Sequence, residues 1–117
     1  MKASELRICN LIFTHKEEII VVKDIDIEGL ILFKEDQNIF DFKCKPIPLT
    51  EERLLKFGFE KDTRDRVMFM FKNFKISIES ESFIHYSMYS NHAKIKYVHQ
   101  LQNLYFALTG EELTIKD

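Results

Sequence analysis

Glycine and proline are scarce in this chain. Three glycines (Gly29, Gly58, Gly110) and two prolines (Pro46, Pro48) are spread through 117 residues. So few of either leave little room for long flexible linkers. The glycines are isolated from one another, which excludes a glycine-rich loop cradling phosphate. Cysteine is equally sparse. Cys9 and Cys44 have neither Cys-x-x-Cys spacing nor the ligand spacing of a metal site. Glu5 and Arg7 precede the first apolar stretch, unlike a signal peptide, so the thiols are expected to be reduced and the protein cytoplasmic. No apolar run approaches the roughly 18 residues that span a bilayer, so no membrane partner is expected.

Catalytic signatures are missing too. His85, His92 and His99 stand seven residues apart, but the reading below puts them on a strand, a loop and a helix. No His-x-x-x-His pair supports a metal centre. Ser87 lies near His85, yet nothing around them prepares an oxyanion hole. Cys44 precedes Lys45, which can lower a thiol pKa, but a buried or incidental cysteine is the better explanation. The expectation is a protein without enzyme activity, metal or cofactor.

What is present is apolar volume. Hydrophobic residues make up 45% and aromatics 13%, with 11 Phe, enough for a single domain over residues 1–117 with one modest core. The formal net charge is −2, unlike the basic balance of a general nucleic-acid binder. Its distribution is uneven. Residues 1–42 hold five Lys/Arg against nine Asp/Glu, and residues 53–75 hold seven against three. Two faces of opposite sign suit charge-guided docking.

The periodicity predicts an α+β fold. Strands are expected over residues 6–13 (with a break at Asn10), 17–27, 30–33 and 39–43, with a polar loop over 34–38. They fit an SH3-like barrel or an open twisted sheet equally well. Thr50 is a good N-cap for a short helix over 51–57, with Leu54, Leu55 and Phe57 inward and Gly58 as its stop. A β-hairpin is expected over 66–80, turning at Lys72-Asn73, with 67–71 apolar on both faces. A further strand spans 83–89, and residues 90–93 form a loop. The chain then closes on an amphipathic helix over 97–109 packed on the sheet. Val98, Leu101, Leu104, Tyr105 and Leu108 form its apolar face and Gly110 terminates it. Thr114-Ile115 is expected to add an edge strand.

The candidate contact residues follow from these elements. Arg64, Arg66, Lys72 and Lys75 form the densest cationic group and can meet acidic protein or phosphate. Phe69, Phe71, Phe74, Tyr86 and Tyr89 lie beside them, a pattern that can stack RNA bases, although most of the phenylalanines are expected to build the core. Tyr86, Met88 and Tyr89 either face outward at an interface or pack under the C-terminal helix. The opposite group, Glu17, Glu18, Asp24, Asp26 and Glu28, can instead mimic phosphates towards a cationic channel, but the basic group is the one expected to make the contact.

Three stretches carry a resemblance. Residues 2–11 (KASELRICNL), 46–52 (PIPLTEE) with 54–59 (LLKFGF), and 95–113 (IKYVHQLQNLYFALTGEEL) resemble those of small uncharacterised proteins of Bacteroidetes-type bacteria and their prophages. Cys9 stands where those proteins carry glycine, which puts the turn there in doubt. The resemblance implies a phage or prophage origin and a bacterial cytoplasm. It also suggests an anti-CRISPR role, in which the partner is a type VI-B RNA-guided RNase effector or its guide-RNA complex. The alternative is a small RNA-binding regulator acting through the basic hairpin.

Overall fold

The computed structural model describes residues 1–34, 37–62, 68–72, 74–79, 82–86 and 92–116, with 79, 82, 86 and 92 described through their backbone. The fold is α+β and rich in strands. In chain order it runs β1 (Leu11–Phe13), β2 (Ile19–Val21), β3 (Asp24–Ile25), β4 (Leu30–Lys34), β5 (Gln37–Phe40), α1 (Glu51–Lys56), β6 (Glu60–Lys61), β7 (Met68–Phe71), β8 (Phe74–Glu79), β9 (Ser82–Tyr86), β10 (His92–Ile95) and α2 (Val98–Thr109). Single 3-10 turns cover Ala3–Glu5 and Asp41–Lys43.

The β1–β2 hairpin divides two apolar clusters. Strand side chains alternate between faces. Leu11 and Phe13 therefore join the larger cluster, while Ile12 and Ile20 join a smaller one with Val22, Ile31 and Cys44. The smaller cluster lies under the antiparallel sheet β3-β4-β5. The N-terminal strands thus form a two-stranded and a three-stranded sheet, and neither closes into a barrel.

These strands are shorter than their apolar content suggests. The first begins at Leu11, because Cys9 is left-handed (φ +79°) and Asn10 turns its amide inward. Residues 17–27 split into β2 and β3. At the break Val22 N–H donates to Asn10 O, and Lys23 N–H crosses to Leu32 O at 2.8 Å. The expected polar loop is narrower than 34–38, since Lys34 already pairs with Gln37. The strand expected over 39–43 ends at Phe40, and the next three residues coil into a 3-10 turn.

The second half is an antiparallel meander in the order β10-β9-β8-β7-β6. Phe69, Phe74, Ile76, Phe83 and Ile95 pack into the larger core with Leu54, Phe57 and Phe59. Thr50 Oγ1 accepts the Arg53 N–H at 3.2 Å and starts α1 as expected. Leu55, however, is exposed rather than inward. The hairpin joins β7 to β8 in the register Phe71–Phe74, with Lys72 itself left-handed (φ +55°) and Asn73 outside the described residues. Part of the expected 90–93 loop is strand, since β10 begins at His92. Residues 114 and 115 form no strand.

Helix α2 spans Val98–Thr109 and ends on a left-handed Gly110 (φ +75°), a conformation glycine adopts without the Cβ clash that strains other residues. Its buried stripe is Val98, His99, Leu101, Gln102 and Tyr105, while Leu104 is half-buried and Leu108 exposed. The helix is therefore rotated from the expected orientation and buries a glutamine. No described helix is long and apolar enough to cross a membrane.

Candidate interaction surfaces

Distant stretches of the chain meet at α2. Gln102, 2% exposed, accepts Leu11 N–H at 2.8 Å and donates to Cys9 O and Leu113 O, both at 3.2 Å. Asn103 Oδ1 accepts from Asn10 Nδ2 (2.8 Å) and Arg7 Nε (3.2 Å). The Arg7 guanidinium also pairs with the Glu112 carboxylate and lies 4.3 Å from the Phe106 ring centre. The middle stretch joins through Val98 N–H to Ile47 O (2.8 Å) and Leu49 N–H to Lys96 O (2.9 Å). Residues from 2–11, 46–59 and 95–113 thus form one hub. A glutamine and an asparagine inside an apolar helical repeat were the sequence signal for it. The Cys9 backbone is left-handed (φ +79°), a conformation that suits glycine.

The basic hairpin presents less free charge than its sequence suggests. Lys72 Nζ lies 2.9 Å from Glu111 Oε2, and that hydrogen bond and charge raise the lysine pKa above its ordinary value. Lys75 is exposed on the face opposite the core, directly across from Met70. Met68, Met70 and Ile84 are half-buried on that face, with Lys94 exposed beside Ile84. Tyr86 ends β9 opposite His92. Arg64, Arg66, Met88 and Tyr89 lie outside the described residues. The three phenylalanines proposed for base stacking turn inward. Phe69 and Phe74 are buried, and Phe71 packs half-buried against them.

The β3–β4 turn, the Asp41–Lys43 turn and the chain start beside them carry exposed apolar groups and charged groups of both signs, Lys2 and Lys43 among them. Phe40 (42% exposed) and Phe42 (70% exposed) stack on one another, ring centres 5.5 Å apart and planes 14° apart. Asp41, between them in sequence, donates its N–H to Gly29 O at 2.8 Å. This pins the β3–β4 turn against the phenylalanines' own turn. A Cβ on Gly29 would stand 2.8 Å from the Asp41 carboxylate, so glycine is required at that approach. The same turn carries Ile27, fully exposed, and exposed Asp24, Asp26 and Glu28. Asp26 Oδ1 accepts from Glu28 N–H (2.8 Å) and Leu30 N–H (3.0 Å), which fixes the turn. A shallow cavity of about 430 Å³ lies between this turn and the Ala3–Glu5 turn. Glu17 and Glu18 sit on the neighbouring β1–β2 turn, exposed.

The other candidate groups have structural surroundings. Burial, then Asp41, pushes the Cys44 thiol pKa up, and its Sγ rests 3.7 Å from Phe40 O. The His85 ring stacks on Phe74 at 4.2 Å, and burial holds its pKa down. Burial holds His99 down as well, partly opposed by the Glu5 charge. Ser87 lies outside the described residues. Among the described residues no three His, Cys, Asp or Glu side chains gather where they could hold a metal ion. Against known proteins, the chain matches no family model, no curated protein and no solved structure.

Proposed function

We propose that this chain is a non-enzymatic binding protein of phage or prophage origin that inhibits an RNA-guided RNase effector by docking on it. The observation that carries the binding half of this reading is the Phe40–Phe42 stack, left uncovered in a chain that buries most of its other phenylalanines. Large apolar side chains held at a surface mark contact sites. The identity of the partner rests on the three resembling stretches. A small protein with strongly signed faces is physically suited to filling a cationic nucleic-acid channel or trapping one effector conformation.

The test is a guide-directed cleavage assay with a type VI-B effector. Cleavage of reporter RNA is expected to fall in proportion to added protein and to stop near equimolar. The protein alone is expected to leave the RNA intact. Pull-down with RNase treatment separates this reading from direct RNA binding through Arg64, Arg66, Lys72 and Lys75. A retained effector supports the inhibitor. Recovery of RNA alone sinks it.

A further inference from the structure

One cavity has no part in the docking reading. It holds about 90 Å³ and lies between α1, the start of α2, the β1–β2 hairpin and Ile115. Its inner walls are the buried side chains of Leu11, Ile47, Phe57 and Val98. Exposed Ile19 and Ile115 frame its mouth. Arg53 and Lys56, neighbours on one face of α1, complete the lining, and no lining residue is acidic.

The two cations differ in what they already hold. Lys56 Nζ lies 3.6 Å from Glu52 Oε1, a loose and exposed pair. Arg53 is half-buried and pairs with no carboxylate among the described residues. Its Nη1 donates to Pro48 O at 2.8 Å, and its guanidinium lies 5.5 Å from the Phe13 ring centre. Those contacts fix the guanidinium and leave it N–H groups to donate. A planar guanidinium is matched by a carboxylate, which it holds through two parallel hydrogen bonds. The apolar part is small. A dry apolar cavity of roughly 150 Å³ takes benzene. At about 90 Å³ this one is too small for a ring and suits a short branched alkyl chain. Water gains no hydrogen bonds from such walls, so an alkyl group displaces it favourably. We propose that this cavity binds a short branched aliphatic carboxylate, with the alkyl group among Leu11, Ile47, Phe57 and Val98 and the carboxylate on Arg53. A free carboxylic acid and the carboxyl end of a peptide finishing in leucine share that chemistry. The site is independent of the nuclease reading, and neither result decides the other.

The probe is isovalerate, titrated into the isotope-labelled full chain. Isovaleramide keeps the shape without the charge, and acetate keeps the charge without the chain. An N-acetylated peptide ending in leucine tests the second source. Saturable amide shifts are expected at Leu11, Phe57, Val98 and Ile115, with a Kd on the order of 1 mM for so few non-hydrogen atoms. Isovaleramide and acetate are each expected to bind about tenfold more weakly. Arg53→Gln is expected to cost isovalerate about tenfold and to leave isovaleramide unchanged, a split that a merely misfolded variant would not give. Ile115→Ser, at an exposed position outside any helix or strand, is expected to weaken both ligands severalfold. Equal affinity for isovaleramide, an unaffected Arg53→Gln, or shifts centred on Lys72 and Lys75 would each overturn the proposal. Arg53-dependent binding of either the acid or the peptide supports it, and the tighter of the two identifies the source.

Discussion

At the scale of single residues, the conformation of Cys9 and the burial of two histidines have measurable consequences. Cys9 occupies a left-handed backbone (φ +79°), which costs a side chain with a Cβ about 1–2 kcal/mol and glycine almost nothing. Glycine also gains entropy in the unfolded chain, which offsets part of that difference. Cys9→Gly is therefore expected to stabilise the protein by about 1 kcal/mol net, read as a higher urea midpoint at unchanged slope. His85 and His99 have pKa values held below the ordinary 6.5 by burial. Between their folded values and 6.5 the unfolded chain binds protons that the folded chain does not. The stability they contribute is thus complete above pH 6.5 and is lost as pH falls through that value towards the folded pKa. The urea midpoint is expected to drop from pH 7.5 to pH 5, and His99→Phe is expected to flatten part of the slope. An unchanged slope in that variant would show that His99 is not one of the groups responsible.

At the scale of elements, the helices were legible because their ends are chemically marked. Thr50 followed by Glu51 and Glu52 announces the start of α1, and Gly110 announces the end of α2. The short strands were not legible, because tertiary bonds decide where each one stops. Beyond Val21 the chain changes partner, Val22 N–H donating to Asn10 O and Lys23 N–H to Leu32 O, and Asp41 N–H leaves the strand pattern to reach Gly29 O. Phe40 and Phe42 alternate with Asp41 and Lys43 as they would along a strand, yet the chain coils into a 3-10 turn after Phe40 and both rings stay exposed. Their exposure, the basis of the proposed contact, could not be read from periodicity. The rotation of α2 was hidden for a related reason. Gln102 looks like a surface residue until the backbone groups of Cys9, Leu11 and Leu113 supply its partners. Gln102→Leu keeps the volume but orphans those groups, and about 3 kcal/mol of stability is expected to be lost. Thermal melting would show this. A variant as stable as the parent would mean that water or the backbone replaces the amide at little cost.

At the scale of the whole molecule, two apolar clusters share one hairpin along a body of 47 × 27 × 25 Å. The sharing implies that neither cluster can melt alone, since unravelling either one strips a face from β1. Ile12→Ala empties a fully buried position of the smaller cluster and is expected to cost about 3 kcal/mol. Tyr97 and Tyr105 lie in or beside α2, next to the larger cluster. Tyrosine fluorescence is therefore expected to report the Ile12→Ala loss at the same urea midpoint as circular dichroism. Divergent midpoints would mean that the two clusters unfold separately. The α2 hub has a further consequence, for synthesis. Arg7, Asn10 and Leu11 find their side-chain partners at residues 102, 103 and 112, sequence separations of 91 to 105. Such distant pairings slow folding because a long loop must close before they form. On the ribosome the first strand must therefore wait, unpaired at its most polar edge, until Glu112 has cleared the exit tunnel. Until then the chain is most open to chaperones and proteases.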